Sequence, residues 1–169
     1  LCMGSFINCA AWRMTHGESV LKGRSHCTAC NHELAARDLI PVFSWIASRG
    51  HCRYCDEKIA TRYLLVEILT AIIFVIIVLR FGITLLALEM LALTSILICI
   101  TLTDLEDSTI PNALIITGII LKLIFLLFSG DIVGGLLRVL VGGFSVSLPL
   151  LIVVLIADKV MKKDTMLHF

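Results

Sequence analysis

Two Cys-x-x-Cys pairs are the residues whose type and spacing most clearly indicate chemistry in this sequence. Cys27 and Cys30 form the first pair and Cys52 and Cys55 the second, with twenty-one residues between the pairs. Each pair can turn two thiolates toward one ion, and two pairs together complete the tetrahedral four-sulfur site that usually holds structural zinc. The spacing therefore predicts a metal-tied knuckle, with reduced structural cysteines or two disulfides as the alternatives.

A second candidate for chemistry is the acidic stretch TDLEDSTIPN, which follows a long apolar run. Asp104 stands at the end of the run, and Glu106 and Asp107 come directly after it. Two carboxyl groups that share a proton can activate water for peptide hydrolysis, as in aspartic proteases. Asp104 is therefore a candidate catalytic acid. The alternative is that all three acids are ordinary loop charges, with Asp107 and Ser108 capping the next helix.

The composition indicates the environment in which these residues must be positioned. Of the 169 residues, 59% are hydrophobic, and the mean hydropathy is +1.01, whereas a soluble domain is about 45–50% apolar. The apolar residues form long runs, which predicts an all-α polytopic membrane protein with about five transmembrane helices. The net charge of only +1 gives no indication of nucleic-acid binding.

The predicted membrane helices lie at residues 1–12, 62–79, 83–103, 113–128 and 132–157, and the first is only part of a helix. A short helix is predicted at residues 39–47, with Pro41 in its first turn. The predicted domains are a partial first transmembrane helix (1–12), a zinc-binding module (13–61) and a transmembrane helical domain (62–169). Because the chain begins without Met inside an apolar run and stops after a polar stretch, we expect both ends to be truncated.

The basic residues predict the orientation of the chain in the membrane. Eight of the fourteen Lys and Arg residues lie from Arg13 to Arg62, so the positive-inside rule places the module in the cytoplasm. The cytoplasm also keeps thiols reduced and available to a metal. The same topology brings Asp104 and three further basic residues to the cytoplasmic side. These are Lys159, Lys162 and Lys163.

Four charged residues within the apolar runs need partners, because an isolated charge in hydrocarbon is costly. We expect them to pair across the helix bundle or to reach an interface, and Glu67 is also a weaker candidate for contact with a substrate. The four are Glu67, Glu89, Lys122 and Arg138.

The motifs, taken in order, resemble those of the bacterial type IV prepilin peptidases. They are GSFINCAAWR, RSHCTACNHEL, DLIPVFSWIASRGHCRYC, RYLLVEILT and TDLEDSTIPN, from residue 1 to about residue 111. The resemblance implies an inner-membrane aspartyl endopeptidase that removes the leader peptide of type IV prepilins or pseudopilins at the cytoplasmic face. It also implies N-methylation of the new N-terminus with S-adenosylmethionine, and a role in type IV pilus assembly or protein secretion.

The resemblance assigns roles residue by residue. Asp104 matches the first catalytic aspartate, in the family's D-x6-P pattern, and the four cysteines match the family's tetrad. The second catalytic aspartate, in a Gly-x-Gly-Asp motif, is expected between Met166 and Leu167 and is absent from this sequence. Asp158 and Asp164 lack a preceding Gly-x-Gly and are interpreted as interfacial charges.

The expected cofactors are a structural zinc ion and, for methyl transfer, S-adenosylmethionine. Four thiolates leave no open coordination position, so the zinc is expected to be structural. The sequence has no Gly-rich loop that would locate the methyl donor. The expected partners are prepilin substrates and the lipid bilayer, without nucleic acid. The alternative function is a non-enzymatic assembly adaptor or a transporter with a zinc knuckle, because intramembrane carboxylates also line ion pathways.

Overall fold

The computed structural model describes residues 1–20 and 22–165, excluding the side chains of residues 146, 150 and 153–165. The described part is helical and contains no β-strand, which confirms the predicted all-α class. Four of its helices are long and apolar enough to cross a membrane, close to the predicted number. The α-helices are α1 (Cys2–Thr15), α2 (Phe43–Ala47), α3 (Thr61–Phe81), α4 (Leu85–Asp107), α5 (Asn112–Ser129) and α6 (Ile132–Thr165).

The chain divides into two compact units, Leu1–Leu123 and Ile124–Phe169. In the first unit, α1 packs against α3 and α4, and α3 packs against α4. The helix backbones approach closely, because a Cβ at Gly4 would lie 2.8 Å from the Cα of Glu67, as is typical of small residues between membrane helices. The predicted domains, 1–12, 13–61 and 62–169, stay predictions. The buried core of this unit consists of Ile7, Ala10, Ala11, Cys99 and Leu102.

The predicted pairing of charges inside the first unit is confirmed for α4 and α5. The ammonium group of Lys122 donates a hydrogen bond to the carboxylate of Glu89, and the two form an ion pair. The pair explains how both helices carry a charge in the middle of an apolar run, because each charge neutralises the other.

The second unit contains the end of α5 and the whole of α6. In it the guanidinium of Arg138 donates to the carboxylate of Asp131 at 2.7 Å, so Arg138 is also paired. Helix α6 begins at Ile132, as predicted, and continues to Thr165, beyond the predicted end at residue 157. Several predicted charges near its end lie outside the described side chains, so their roles stay predictions. These are Asp158, Lys159, Lys162, Lys163 and Asp164.

Helix α4 is one turn longer than predicted. It continues past Thr103 to Asp107, and Ser108 ends it in the left-handed conformation with φ 48°. Asp104 and Glu106 therefore lie in the last turn of a helix rather than in a loop.

The short helix between the two cysteine pairs, in contrast, is shorter than predicted. Only Phe43–Ala47 is helical, and Pro41 precedes the helix instead of lying in its first turn. The reason is Val42, whose φ of 64° interrupts the helical backbone. The amide of Phe43 donates to the carbonyl of Pro41 at 2.7 Å, which makes Val42 the centre of a γ-turn, a strained conformation.

Candidate metal centre and acidic helix end

The four cysteines lie together. Their Sγ atoms are all within 4.8 Å of one another, and those of Cys27 and Cys55, one from each pair, are 3.9 Å apart. Bonds of about 2.3 Å to a tetrahedral zinc ion would place two sulfur ligands about 3.8 Å apart. All four residues are free cysteines, so the arrangement fits a single metal ion rather than two disulfides.

Each Cys-x-x-Cys pair lies in a tight hairpin, and the two hairpins have the same backbone. In the first hairpin (residues 25–34) and in the second (residues 50–59), the amide of the first cysteine, Cys27 or Cys52, donates across the turn at 2.9 and 2.8 Å. The residue after each pair, Asn31 or Asp56, has a left-handed φ of 57° or 59°. Its amide therefore turns back and donates to the first cysteine's carbonyl at 2.9 Å in both hairpins.

This structural repeat is a feature that reasoning from cysteine spacing alone misses. The two hairpins correspond at an offset of 25 residues, and both are closed by an isolated bridge, His26 to Glu33 and His51 to Lys58. The available signal is the pattern His-Cys-x-x-Cys followed by Asn or Asp, because Asn and Asp tolerate the left-handed conformation that such a turn requires.

The chemistry of the four sulfur atoms also fits a cation. The amide of Glu57 favours the thiolate of Cys55, but desolvation and the three other thiols outweigh it and raise the pKa of Cys55 to about 12. Four neighbouring thiolates repel one another without a cation between them. A bound metal ion reverses this balance, because coordinating thiols are deprotonated outright.

The second hairpin rests on an aromatic side chain. Gly50, with φ 74°, lies so close to the indole of Trp45 that a Cβ there would be 2.7 Å from the ring. The Nε1 atom of Trp45 donates to the carbonyl of Ile59 at 3.4 Å. Because α3 begins two residues after Ile59, the indole supports the hairpin where it joins the helix bundle.

The second hairpin is also held by a buried carboxylate. The side chain of Asp38 is 8% exposed, and Arg53 Nε lies 3.3 Å from its Oδ1 atom. Its Oδ2 atom accepts from the hydroxyl of Tyr54 at 2.9 Å and from the amide of Ala35 at 3.2 Å. Since Arg53 and Tyr54 are the two residues between Cys52 and Cys55, Asp38 positions the loop that carries two of the four sulfur atoms.

A cavity of about 710 Å³ lies between α1, the two hairpins and the start of α3. Small-molecule sites typically enclose about 300–1,000 Å³. Asn8 in α1 donates to the carbonyl of Tyr63 in α3 at 3.2 Å, and the buried carboxylate of Glu67 accepts from the amide of Val42 at 2.8 Å. Glu67, a weaker candidate for substrate contact, therefore holds the segment between the two hairpins. The lining includes Asn8, Trp12, Trp45, Tyr63 and Glu67.

Asp104 is exposed in the last turn of α4. Its neighbour Glu106 accepts from the guanidinium of Arg62 at 2.6 Å, so the start of α3 and the end of α4 lie at the same face of the first unit. Asp107 accepts from the hydroxyl of Thr109 at 3.4 Å. Asp104 is not among the residues that line the cavity, and residues 166–169, where the second aspartate is expected, lie outside the described part.

Comparison with known proteins places this arrangement in a family. Residues 1–81 match the Bacterial Peptidase A24 N-terminal domain, a region that contains all four cysteines and ends before Asp104. The chain is 35% identical over 120 residues to the prepilin leader peptidase/N-methyltransferase of Myxococcus xanthus, covering 71% of this chain and 36% of the relative. It is 34% identical over 116 residues to the enzyme of that name from Bacillus subtilis, covering 69% and 47%.

A third relative has a similar name and a similar degree of identity. The type 4 prepilin-like proteins leader peptide-processing enzyme of Escherichia coli is 34% identical over 130 residues, covering 66% of this chain and 48% of the relative. The chain thus spans about a third to a half of the length of these relatives. No solved structure matches the chain at the same level of significance. These matches identify the chain as a relative of the type IV prepilin peptidases that carries the family's bacterial N-terminal domain in residues 1–81.

Proposed function

We propose that this chain is a membrane-embedded aspartyl endopeptidase that removes the leader peptide of type IV prepilins or pseudopilins at the cytoplasmic face. The observation that carries the proposal is its 34–35% identity to three relatives whose names specify leader-peptide processing. The substrate is accordingly a membrane-anchored precursor with a basic leader, which a membrane-embedded enzyme can meet at the surface of the bilayer.

Asp104 is the proposed catalytic residue of the chain. It lies exposed at a helix end, whereas the neighbouring Glu106 is engaged by Arg62. In an aspartyl protease, peptide hydrolysis uses two carboxyl groups: one takes a proton from water as the water oxygen attacks the scissile carbonyl carbon, and the other protonates the departing amine as the C–N bond breaks. The second carboxyl group is proposed to come from the Gly-x-Gly-Asp motif that the family resemblance implies.

The charge distribution supports the cytoplasmic orientation. The ion pair between Arg62 and Glu106 means that the two hairpins, which lead into α3, and Asp104, which ends α4, share one side of the first unit. Eight of the fourteen basic residues lie from Arg13 to Arg62, in or beside the region that contains the two hairpins (the hairpin region). Such a concentration is typical of cytoplasmic segments.

The metal centre is proposed to be a structural zinc site. The four thiolates of the tetrad would fill a tetrahedral shell and leave no position for a water or a substrate. When bound, the ion would fix the two hairpins against each other and thereby shape the surface on which a substrate docks.

N-methylation of the new N-terminus is proposed as a second activity, because the relatives from Myxococcus xanthus and Bacillus subtilis are also named N-methyltransferases. S-adenosylmethionine would supply an electrophilic methyl group to the new amine. The cavity beside α1 has a suitable volume for it. Aromatic and amide side chains in its lining, among them Trp12, Tyr63 and Asn8, would hold the aromatic and polar parts of the donor.

The decisive experiment compares two neutralised acids from the same helix turn. We expect Asp104→Asn to abolish leader removal from a prepilin in a strain without its own peptidase, because an amide cannot transfer the proton. Asp107→Asn is the matched control and should retain processing, since Asp107 is exposed in the same turn and its carboxylate accepts a hydrogen bond from Thr109. Leader removal is measured by the mobility of the pilin on a gel.

Normal processing by the Asp104→Asn protein would contradict the catalytic assignment. Equal loss in both variants would indicate that the helix end, rather than the Asp104 carboxylate, is needed.

A further inference from the structure

An apolar patch is exposed on the segment between the two hairpins, residues 35–49. It consists of Ile40, Phe43 and Ile46, which are 50%, 66% and 58% exposed. Phe43 and Ile46 are three residues apart in α2 and so lie on one face of that helix, and Ile40 precedes the turn that leads into it. The opposite side lines the cavity through Pro41, Ser44 and Trp45. Exposed apolar side chains grouped in this way, rather than scattered singly, indicate a surface that another partner covers.

The patch lies beside a membrane-spanning helix, at the depth of its first two turns. The amide of Val42 donates to the Glu67 carboxylate at 2.8 Å. Glu67 lies six residues, or about 9 Å, along α3 from its first residue, and its side chain leans back toward the helix start. Leu65 and Ile68, on either side of Glu67 in α3, are 64% and 38% exposed. The apolar exposed surface of α3 therefore begins at the level where the segment is attached.

Three successive backbone amides of the segment have acceptors within the protein, as an apolar environment requires. Inside a bilayer every backbone amide needs an acceptor within the protein, because no water is present to accept its hydrogen bond. The amide of Val42 donates to the Glu67 carboxylate, and the amide of Phe43 donates to the Pro41 carbonyl at 2.7 Å. The amide of Ser44 donates to the carbonyl of Ile40 at 2.9 Å. The γ-turn at Val42 is strained, and the Glu67 carboxylate stabilises it by accepting the amide at its centre.

Two basic residues of the segment flank the patch. Arg37 precedes the patch. Its Nε atom lies 4.0 Å from the Asp38 carboxylate, but its side chain is 67% exposed. Arg49 follows the patch and is also exposed. A short apolar face between exposed arginines is the pattern of elements that lie in the membrane interface, where the arginines meet anionic headgroups. This charge complementarity favours a phospholipid surface over a basic prepilin leader as the covering partner.

We infer that Ile40, Phe43 and Ile46 insert into the bilayer face at which α3 begins, while Arg37 and Arg49 contact anionic phospholipid headgroups. The hairpin region is therefore anchored to the lipid through its own segment as well as through α1 and α3. The inference requires membrane insertion of α3 and is independent of the proposed peptidase chemistry.

Photo-crosslinking from the patch tests the inference. The chain is reconstituted in nanodiscs of phosphatidylethanolamine and phosphatidylglycerol with p-benzoylphenylalanine at position 43. The same residue at position 65 is the positive control, because Leu65 is exposed on α3. Position 33 is the negative control, because Glu33 is an exposed carboxylate in the first hairpin with 61% of its side chain accessible. Mass spectrometry after irradiation measures the fraction of chains that carry a phospholipid.

We expect phospholipid adducts at position 43 to approach the level at position 65 and to exceed the level at position 33 several-fold. A yield at position 43 no greater than that at position 33 would overturn the inference. Adducts between two copies of the chain, or with an added prepilin peptide in place of lipid, would also overturn it and would identify the other partner.

A second variant covers the case in which the photoreactive residue disturbs the fold. Phe43→Trp keeps an aromatic side chain at the position, and its metal content, compared with that of the unmodified chain, shows whether the hairpins still fold. Its added tryptophan fluorescence should be quenched by brominated phospholipids. Unquenched fluorescence in a variant with normal metal content would contradict insertion.

Discussion

The two cysteine hairpins have the same backbone but different surroundings. Their amides form equivalent hydrogen bonds at an offset of 25 residues. Cys52 of the second hairpin is buried, whereas its equivalent in the first hairpin, Cys27, is half-buried. The first hairpin is tied to α1 at its start, where the buried guanidinium of Arg13 donates to the carbonyl of Arg24 at 2.9 Å. An exposed ion pair also joins Arg24 to Glu33, with 69% and 61% of the side chains accessible. An exposed pair of this kind contributes about 0–1 kcal/mol.

The second hairpin is tied to the bundle through other contacts and through the chain itself. It rests on Trp45, is held by the buried carboxylate of Asp38, and leads directly into α3. The two hairpins also touch each other, since the rings of His32 and Tyr54 lie 3.7 Å apart. The difference teaches that local sequence determines the shape of each hairpin, while distant residues determine how firmly each one is positioned.

Among substitutions that compare the two hairpins, loss of a metal ligand should have the largest effect on metal content and on protease resistance. We expect the unmodified chain to contain about one metal ion, since four thiolates form one tetrahedral site. Cys52→Ser should lose it and also expose the second hairpin to protease, because Cys52 is buried. Cys30→Ser should lose the metal with less effect on protease resistance, because Cys30 is exposed. Elemental analysis of the purified chain and limited proteolysis measure the two effects.

Cys2→Ser is the control for these ligand variants, because Cys2 lies in α1, outside the tetrad. Metal retained at the full level in Cys52→Ser, or metal absent from freshly purified reduced protein, would contradict a four-sulfur site.

Loss of the buried carboxylate should have an intermediate effect. Asp38→Asn removes the charge that faces Arg53 and weakens the bond from Tyr54. Residues that orient metal ligands typically change affinity by about 10–100-fold, and we expect a decrease of this size. Competition with a chromophoric chelator measures it. Glu33→Gln, in the exposed pair of the first hairpin, should leave the affinity nearly unchanged. Equal decreases in both variants would show that the two hairpins are supported alike.

Substitutions in the left-handed turns should have the smallest effect and should affect both hairpins equally. Asn31→Val and Asp56→Val each place a β-branched residue at a positive φ, which costs about 1–2 kcal/mol. The corresponding glycine variants should cost little, because glycine adopts this conformation freely. Thermal unfolding in detergent measures the four proteins. A much larger loss at one position would mean that its side chain has a role beyond the turn.

The sequence predicts the membrane helices well because bilayer-length apolar runs have few other stable arrangements. The four-cysteine cluster is equally predictable, since each pair is a local turn. The predicted end of α4, at residue 103, was wrong by one turn. The first charged residue, Asp104, marks the end of the apolar run, but the helix continues to Asp107, and Glu106 in this last turn pairs with Arg62, 44 residues away.

The features that the sequence could not predict all depend on such distant contacts. Val42 takes a conformation that a β-branched residue avoids, and its amide meets Glu67, 25 residues along the chain. The support of the second hairpin by Asp38 likewise joins segments that spacing rules treat separately. A positive φ at valine, or a buried carboxylate beneath a metal loop, leaves no periodic pattern in the sequence.

The junction between the second hairpin and α3 has a mechanical consequence. Only Ala60 separates the last residue of the hairpin, Ile59, from the first residue of the helix. No flexible linker therefore separates the hairpin from α3. A transmembrane helix adjusts its tilt to the thickness of the surrounding lipid. We therefore expect the sulfur cluster to turn with α3, so that a change in the tilt of the packed helices between thin and thick membranes also changes the inclination of the cluster.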